Sequence, residues 1–124
     1  MSLPLIALAA GLQPVAPISL CGIEAPTLPA FFAMLDQAAK ARTMEHMEEK
    51  GLHIYHLDER SAAMPRTRIW MATSDKDRAH PAIACYDFHY GTDGLEMAQD
   101  FRCDGEAAAC AALAERLRVK KDPS

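Results

Sequence analysis

Alternation of apolar and polar side chains with a period of two governs the middle of the chain. Residues 52–58, 68–73, 82–90 and 95–103 each read as a strand on that pattern. Before them the period is helical. Leu28, Phe31, Phe32, Leu35 and Ala39 fall on one stripe, and Met44 and Met47 extend it less cleanly to Gly51, a residue suited to the left-handed end of a helix. The spacing therefore predicts a helix over 29–50, with Thr27 as its cap and Pro29 in its first turn. After the strands, Asp104 is placed to cap an alanine-rich helix over 105–119 whose stripe is Cys110, Leu113, Ala114 and Leu117. Lys120 and Lys121 suit the negative end of its dipole. The expected fold class is α+β, in the order α-β-β-β-β-α: a four-stranded antiparallel sheet with an N-terminal and a C-terminal helix on one face.

Gly91-Thr92-Asp93-Gly94 is the strongest turn signal and joins the last two strands as a hairpin. Pairing through it puts Tyr86, Phe88 and Tyr90 beside Leu95, Met97, Phe101 and Cys103, which reads as the core face. The other face then carries Cys85, Asp87, His89, Glu96, Ala98, Asp100 and Arg102, and reads as solvated.

This parity bears on the four cysteines, for which three pairings exist. Cys85 and Cys103 point to opposite sides of neighbouring strands, so no disulfide can join them. Cys110 lies on a helix stripe that must pack on the core face, so a Cys85–Cys110 bond would pass through the sheet. The pairs that remain are Cys21–Cys85 and Cys103–Cys110. No C-x2-C pair exists, so a structural zinc site has no support.

Charge changes the picture at the N-terminus. Between Met1 and Leu35 the only charged side chain is Glu24. An apolar run over residues 3–12 followed by small residues fits a secretory leader, although no Lys or Arg precedes it. Pro14 and Pro17 interrupt any transmembrane helix, and Leu20 stands where a lipoprotein signal needs a small residue before Cys21. The competing reading is an apolar arm packed on the fold. We expect residues 1–16 to be a leader or arm and 17–124 a single domain. Disulfides persist in oxidising compartments, so the two expectations support a periplasmic or secreted protein over a cytoplasmic one.

Chemistry is sparse. The net charge of −4 excludes a generic nucleic-acid binder. Phosphate-loop, dinucleotide, nucleophile-elbow and zinc-protease motifs are all absent from the sequence, and the expectation is no cofactor, no metal and no catalytic residue. His53 and His56 fall on opposite faces of a strand, so they do not share a metal, while His46 and His80 have no nameable partner. Asp75-Lys76-Asp77 lacks the glycine and terminal glutamate of a calcium loop. The polar sheet face collects Asp87, His89, Asp100 and Arg102, an acid, a base and a cation for a small hydrolase or metal-dependent enzyme, or a recognition surface. Trp70 and Arg68 join that surface if Ile69 and Met71 point inward; the other register buries Trp70. The preferred reading is an exported, disulfide-stabilised domain, inhibitor- or immunity-like, that binds a protein through Trp70, Arg68, Asp87, His89, Asp100 and Arg102. A cytosolic acidic adaptor or chaperone-like dimer is the alternative, and a homo-oligomer stays open under either.

Overall fold

The computed structural model describes residues 16–60 and 65–118. The expectations about a leader before residue 16, the connection over 61–64 and the lysines after the last helix lie outside these residues. The described chain is α+β. A small hairpin of β1 (Ile18–Leu20) and β2 (Ile23–Ala25) leads into helix α1 (Leu28–Lys40). Five strands follow: β3 (Glu45–Glu49), β4 (Leu52–Glu59), β5 (Arg66–Thr73), β6 (Ala82–Gly91) and β7 (Gly94–Cys103). They form one antiparallel sheet in sequence order, and helix α2 (Ala107–Leu117) closes the described chain.

The sheet thus has five strands where the sequence pattern predicts four, because the long helix expected over 29–50 is two elements. Thr27 caps α1 through its hydroxyl, which accepts from the Ala30 N–H at 3.2 Å. The helix stops at Lys40 because Arg42 turns left-handed, with φ 62°. The N–H of Arg42 then returns to the carbonyl of Ala39, and that of Thr43 to Ala38. These paired bonds are the usual closure of a helix, made here by arginine in the place commonly held by glycine. Gly51 serves a different end. Together with Lys50 it has positive φ, 52° and 80°, as a two-residue turn between β3 and β4 requires. Strand β3 is fully exposed along its length and carries three glutamates, so no apolar alternation reveals it in the sequence.

The two helices lie on opposite faces, contrary to the one-face arrangement expected. Register assigns His46, Tyr55, Trp70, Cys85 and Asp100 to one row and therefore to one face. That face receives α1 and the β1–β2 hairpin: Leu20, Leu28, Phe31 and Leu35 cluster with Tyr55, Trp70, Ala72, Ile83 and Cys85. The Tyr55 hydroxyl donates to Asp36 of α1. Burial and that carboxylate raise the phenol's pKa far above its ordinary value. On the other face α2 seats Leu113 against Leu52, Ala79 and Ala82, with Phe101 and Cys103 alongside. Ala82, Ile83, Ala84 and Cys85 are all buried, since β6 is covered on both sides. Asp104 does not cap α2. Gly105 runs so close to the backbone of Ala79 that a Cβ would lie 2.3 Å from it, and the helix begins beyond, with Glu106 at its N-cap.

Each covering layer is joined to the sheet by sulfur. Cys21 and Cys85 stand at disulfide distance, 2.10 Å, and so do Cys103 and Cys110, 2.05 Å, the two pairs that parity leaves. They close loops of 64 and 7 residues. On the chain-entropy account these contribute about 4 and about 2.5 kcal/mol at most. The double substitution Cys21→Ala/Cys85→Ala should therefore lower the free energy of urea unfolding more than Cys103→Ala/Cys110→Ala. Equal losses would show that the long loop is already ordered in the unfolded chain.

Candidate functional site

The face read as solvated is interior at Cys85 and Asp87 of β6 and at Trp70 of β5, and exposed along β7 at Glu96, Ala98, Asp100 and Arg102. Trp70 is fully buried, so it is no exposed anchor. Its indole N–H donates to the Leu20 carbonyl at 3.0 Å and ties β5 to the N-terminal hairpin. Arg68 lies over that ring, with its guanidinium carbon 5.7 Å from the centroid. It donates to the Cys21 carbonyl at 3.0 Å and to Glu59 at 2.7 Å. Gly22 makes this approach feasible: it has φ 89°, and a Cβ there would stand 2.8 Å from the Arg68 guanidinium. Arg68 is thus a clamp on the turn at Cys21 and Gly22.

Beyond it a second charged group continues along the same face. Arg66 forks onto both oxygens of Asp87, at 2.9 and 2.6 Å. That hydrogen bonding holds the Asp87 carboxyl below the usual carboxylate range, against the opposing effect of its burial. His89 places Nδ1 3.9 Å from Asp87 and Nε2 3.2 Å from Glu96. The structure therefore brings Arg68, Asp87 and His89 into one region but leaves Asp100 and Arg102 apart. Asp100 sits opposite Cys85, four residues along β7 from the Glu96 that faces His89, or about 13 Å of strand. Its carboxylate accepts from the Phe101 N–H at 2.9 Å. Among the described residues Arg102 pairs with Asp104, at 3.8 Å, with both side chains half exposed. The acid, base and cation that do meet on this face are Asp87, His89 and Arg66, whereas Asp100 and Arg102, expected beside them, stand apart.

The histidines without nameable partners acquire them through tertiary contact. His46, on β3 and not on a helix, has Nε2 3.1 Å from Nδ1 of His53, and its ring stacks on Tyr55 at 4.7 Å. The centroids of the two imidazoles are 5.3 Å apart with their planes 19° from parallel. That separation is about what two ring radii and one N···N contact add up to in line. The facing nitrogens therefore share a hydrogen and do not converge on a common third atom. His80 has Nδ1 2.8 Å from the Thr73 hydroxyl. Among the described residues no group of three or more His, Cys, Asp or Glu side chains is arranged to hold a metal ion.

The face read as the core is the one left open. Past the end of α2, where the Leu117 carbonyl accepts from the Tyr86 hydroxyl at 2.9 Å, nothing described covers it. Leu95 is 62% exposed, Met47 57%, Tyr90 50% and Met97 49%. Register links them: Tyr90 pairs with Leu95 and Phe88 with Met97, while Tyr86 adjoins Ile69, and Met71 adjoins Ile54 and then Met47. The result is a diagonal apolar strip across all five strands. At its β3 end is a groove of about 340 Å³ lined by Glu45, His46, Met47, Ile54, His56 and Ile69. Asp58, at this face's margin, accepts from Thr67 and pairs with Arg60 at 3.0 Å, which lowers its pKa. The sequence pattern groups Tyr86, Phe88, Tyr90, Leu95 and Met97 on one face but assigns that face to the interior, and it places Met47 on a helix. No protein-family model, curated protein or solved structure matches the chain.

The two cationic partners in the expected site should separate in stability. Arg66→Ala leaves a mostly buried carboxylate short of its fork and should cost about 1–3 kcal/mol, whereas Arg102→Ala should cost about 0.5 kcal/mol or less. Because the Asp87 pKa is depressed in the folded state, its contribution is present above the unfolded value of about 4 and is lost as pH falls through the folded one. Urea midpoints measured from about pH 5 to about pH 3 should thus fall more steeply for the wild type than for Asp87→Asn. Parallel slopes would place the acid sensitivity elsewhere.

Proposed function

We propose that this is an exported, disulfide-stabilised domain that binds another protein, as an inhibitor- or immunity-like module, and that it docks through the open apolar strip and not through the charged residues of the opposite face. The observation that carries this reading is the exposure of Met47, Tyr90, Leu95 and Met97 on one continuous surface of the sheet. Isolated exposed apolar side chains need no explanation, but a strip of large ones bordered by polar residues is the composition of a binding surface. Aromatic residues and methionines are enriched in such surfaces, and Tyr90, Phe88, Met47 and Met97 supply both here. The occupant is a different protein and not a second copy: the carboxylates beside the strip would be doubled in a symmetric pair. Export is supported by the two cysteine pairs at disulfide distance together with the nearly charge-free start of the chain. Among the described residues no helix is long and apolar enough to cross a membrane.

Two measurements test the reading. A photo-crosslinking residue in place of Leu95 should trap one discrete heterologous protein in the native host. The same residue at Met34, which is 45% exposed on α1, should not. Loss of the adduct in a Met97→Asp background would support docking through the strip, and equal crosslinking from both positions would refute it. Intact mass and thiol titration of protein from that host should show no free thiol and a start after the small residues over 9–16. Four free thiols on a chain beginning at Met1 would overturn export.

A further inference from the structure

On its strands the open face carries acidic charge alone, while Arg116 and Arg118 belong to the α2 end that is already covered. Every Lys and Arg on the five strands belongs to the other face: Arg66, Arg68 and Arg102. The positions that alternate with them hold Glu45, Glu49 and Asp58 as their charged residues. Asp58 is engaged by Arg60, whereas Glu45 meets only His56, at 3.2 Å, and Glu49 makes no ion pair among the described residues. The exposed side chain of Glu45 lines the groove together with Met47, Ile54, Ile69 and the imidazoles of His46 and His56. A groove lined by apolar side chains and an exposed carboxylate matches a side chain that is apolar along its stem and cationic at its tip.

From this we infer that the partner presents an apolar segment flanked by lysine or arginine, and that one of these side chains lies in the groove, its stem on Met47, Ile54 and Ile69 and its cation on Glu45. The inference rests on the proposed docking face and adds the chemistry of what docks there. Glu49, four residues along the same edge with Met47 between, extends the negative field and favours encounter with basic partners. Acidic segments are disfavoured by the same residues, so charge sets selectivity while the strip supplies contact area.

The seven methionines provide the test. Met47, Met71 and Met97 lie on the open face and Met34 on α1, so methyl-labelled methionine spectra of the full chain report which side is touched. The probes are an amphipathic peptide of leucine and lysine and its leucine and glutamate counterpart. The lysine peptide should shift the Met47 and Met97 methyls and leave Met34 in place. It should bind about tenfold more tightly than the glutamate peptide, and Glu45→Gln should remove most of that preference. If both peptides shift Met47 and Met97 equally, the charge inference fails while the docking face stands. If neither shifts them, or Met34 responds instead, the docking face fails as well. Shifts that grow with protein concentration alone, with a dimer seen by light scattering, would make a second copy the occupant and overturn the inference.

Discussion

The fold depends on how the N-terminal hairpin is held against the sheet. A strand pair of three residues each has too little surface to persist alone. It is fixed at one point by three different interactions. Trp70 donates to Leu20, Arg68 donates to Cys21, and Cys21 meets Cys85 at disulfide distance. Cys85 and Trp70 are cross-strand partners, so all three originate from adjacent sites on β5 and β6. The turn itself needs positive φ at Cys21 and Gly22, 52° and 89°, and thereby directs the sulfur toward the sheet. Once the hairpin is seated, α1 begins three residues after β2 and has nowhere to lie except over the same face. One face is then closed, and covering the other falls to α2, whose 11 residues reach only part of it.

That division explains what the sequence could and could not reveal. Strand positions and parity were legible, because alternation is a local property of the pleated backbone. Parity separated Cys85 from Cys103, and the placement of the Cys110 helix stripe removed Cys85–Cys110, which left the pairs the structure shows. Which face is interior was not legible from the last hairpin, since a surface made for a partner and a surface made for a core use the same side chains. Tyr90, Leu95 and Met97 would be chosen for either. The clue lay at the other end of β6, where Ala82, Ile83, Ala84 and Cys85 form an unbroken apolar run. Such a run marks a strand covered on both sides, and hence a layer of helix on each. Strand β3 was illegible for a different reason: an edge with both faces in water shows no alternation, and Met44 and Met47 fit a helical spacing as well.

The candidate site was legible in part. Arg68, Asp87 and His89 do gather, with Arg68 engaged by the Cys21 carbonyl and Glu59, and Asp87 by Arg66. A buried carboxylate is held in its charged form by a bidentate partner, and Arg66 provides it for Asp87. The sequence pattern placed Arg66 before the start of its strand, so this pairing could not be anticipated. Trp70 has the size of a binding anchor, and its indole N–H is satisfied by a carbonyl that only the folded hairpin supplies.

The charged outer strand has a meaning for how molecules of this protein meet. A sheet of five strands with an open apolar side risks growth at its margins, where unpaired backbone groups can recruit another strand. At β3 such recruitment would bring Glu45, Glu48 and Glu49 against the incoming chain, and on a second copy against its own carboxylates. At β7, Glu96, Asp100 and Arg102 put charge on the other margin. Charge at both margins thereby disfavours growth edge to edge while the sheet keeps a hydrophobic surface on its open face.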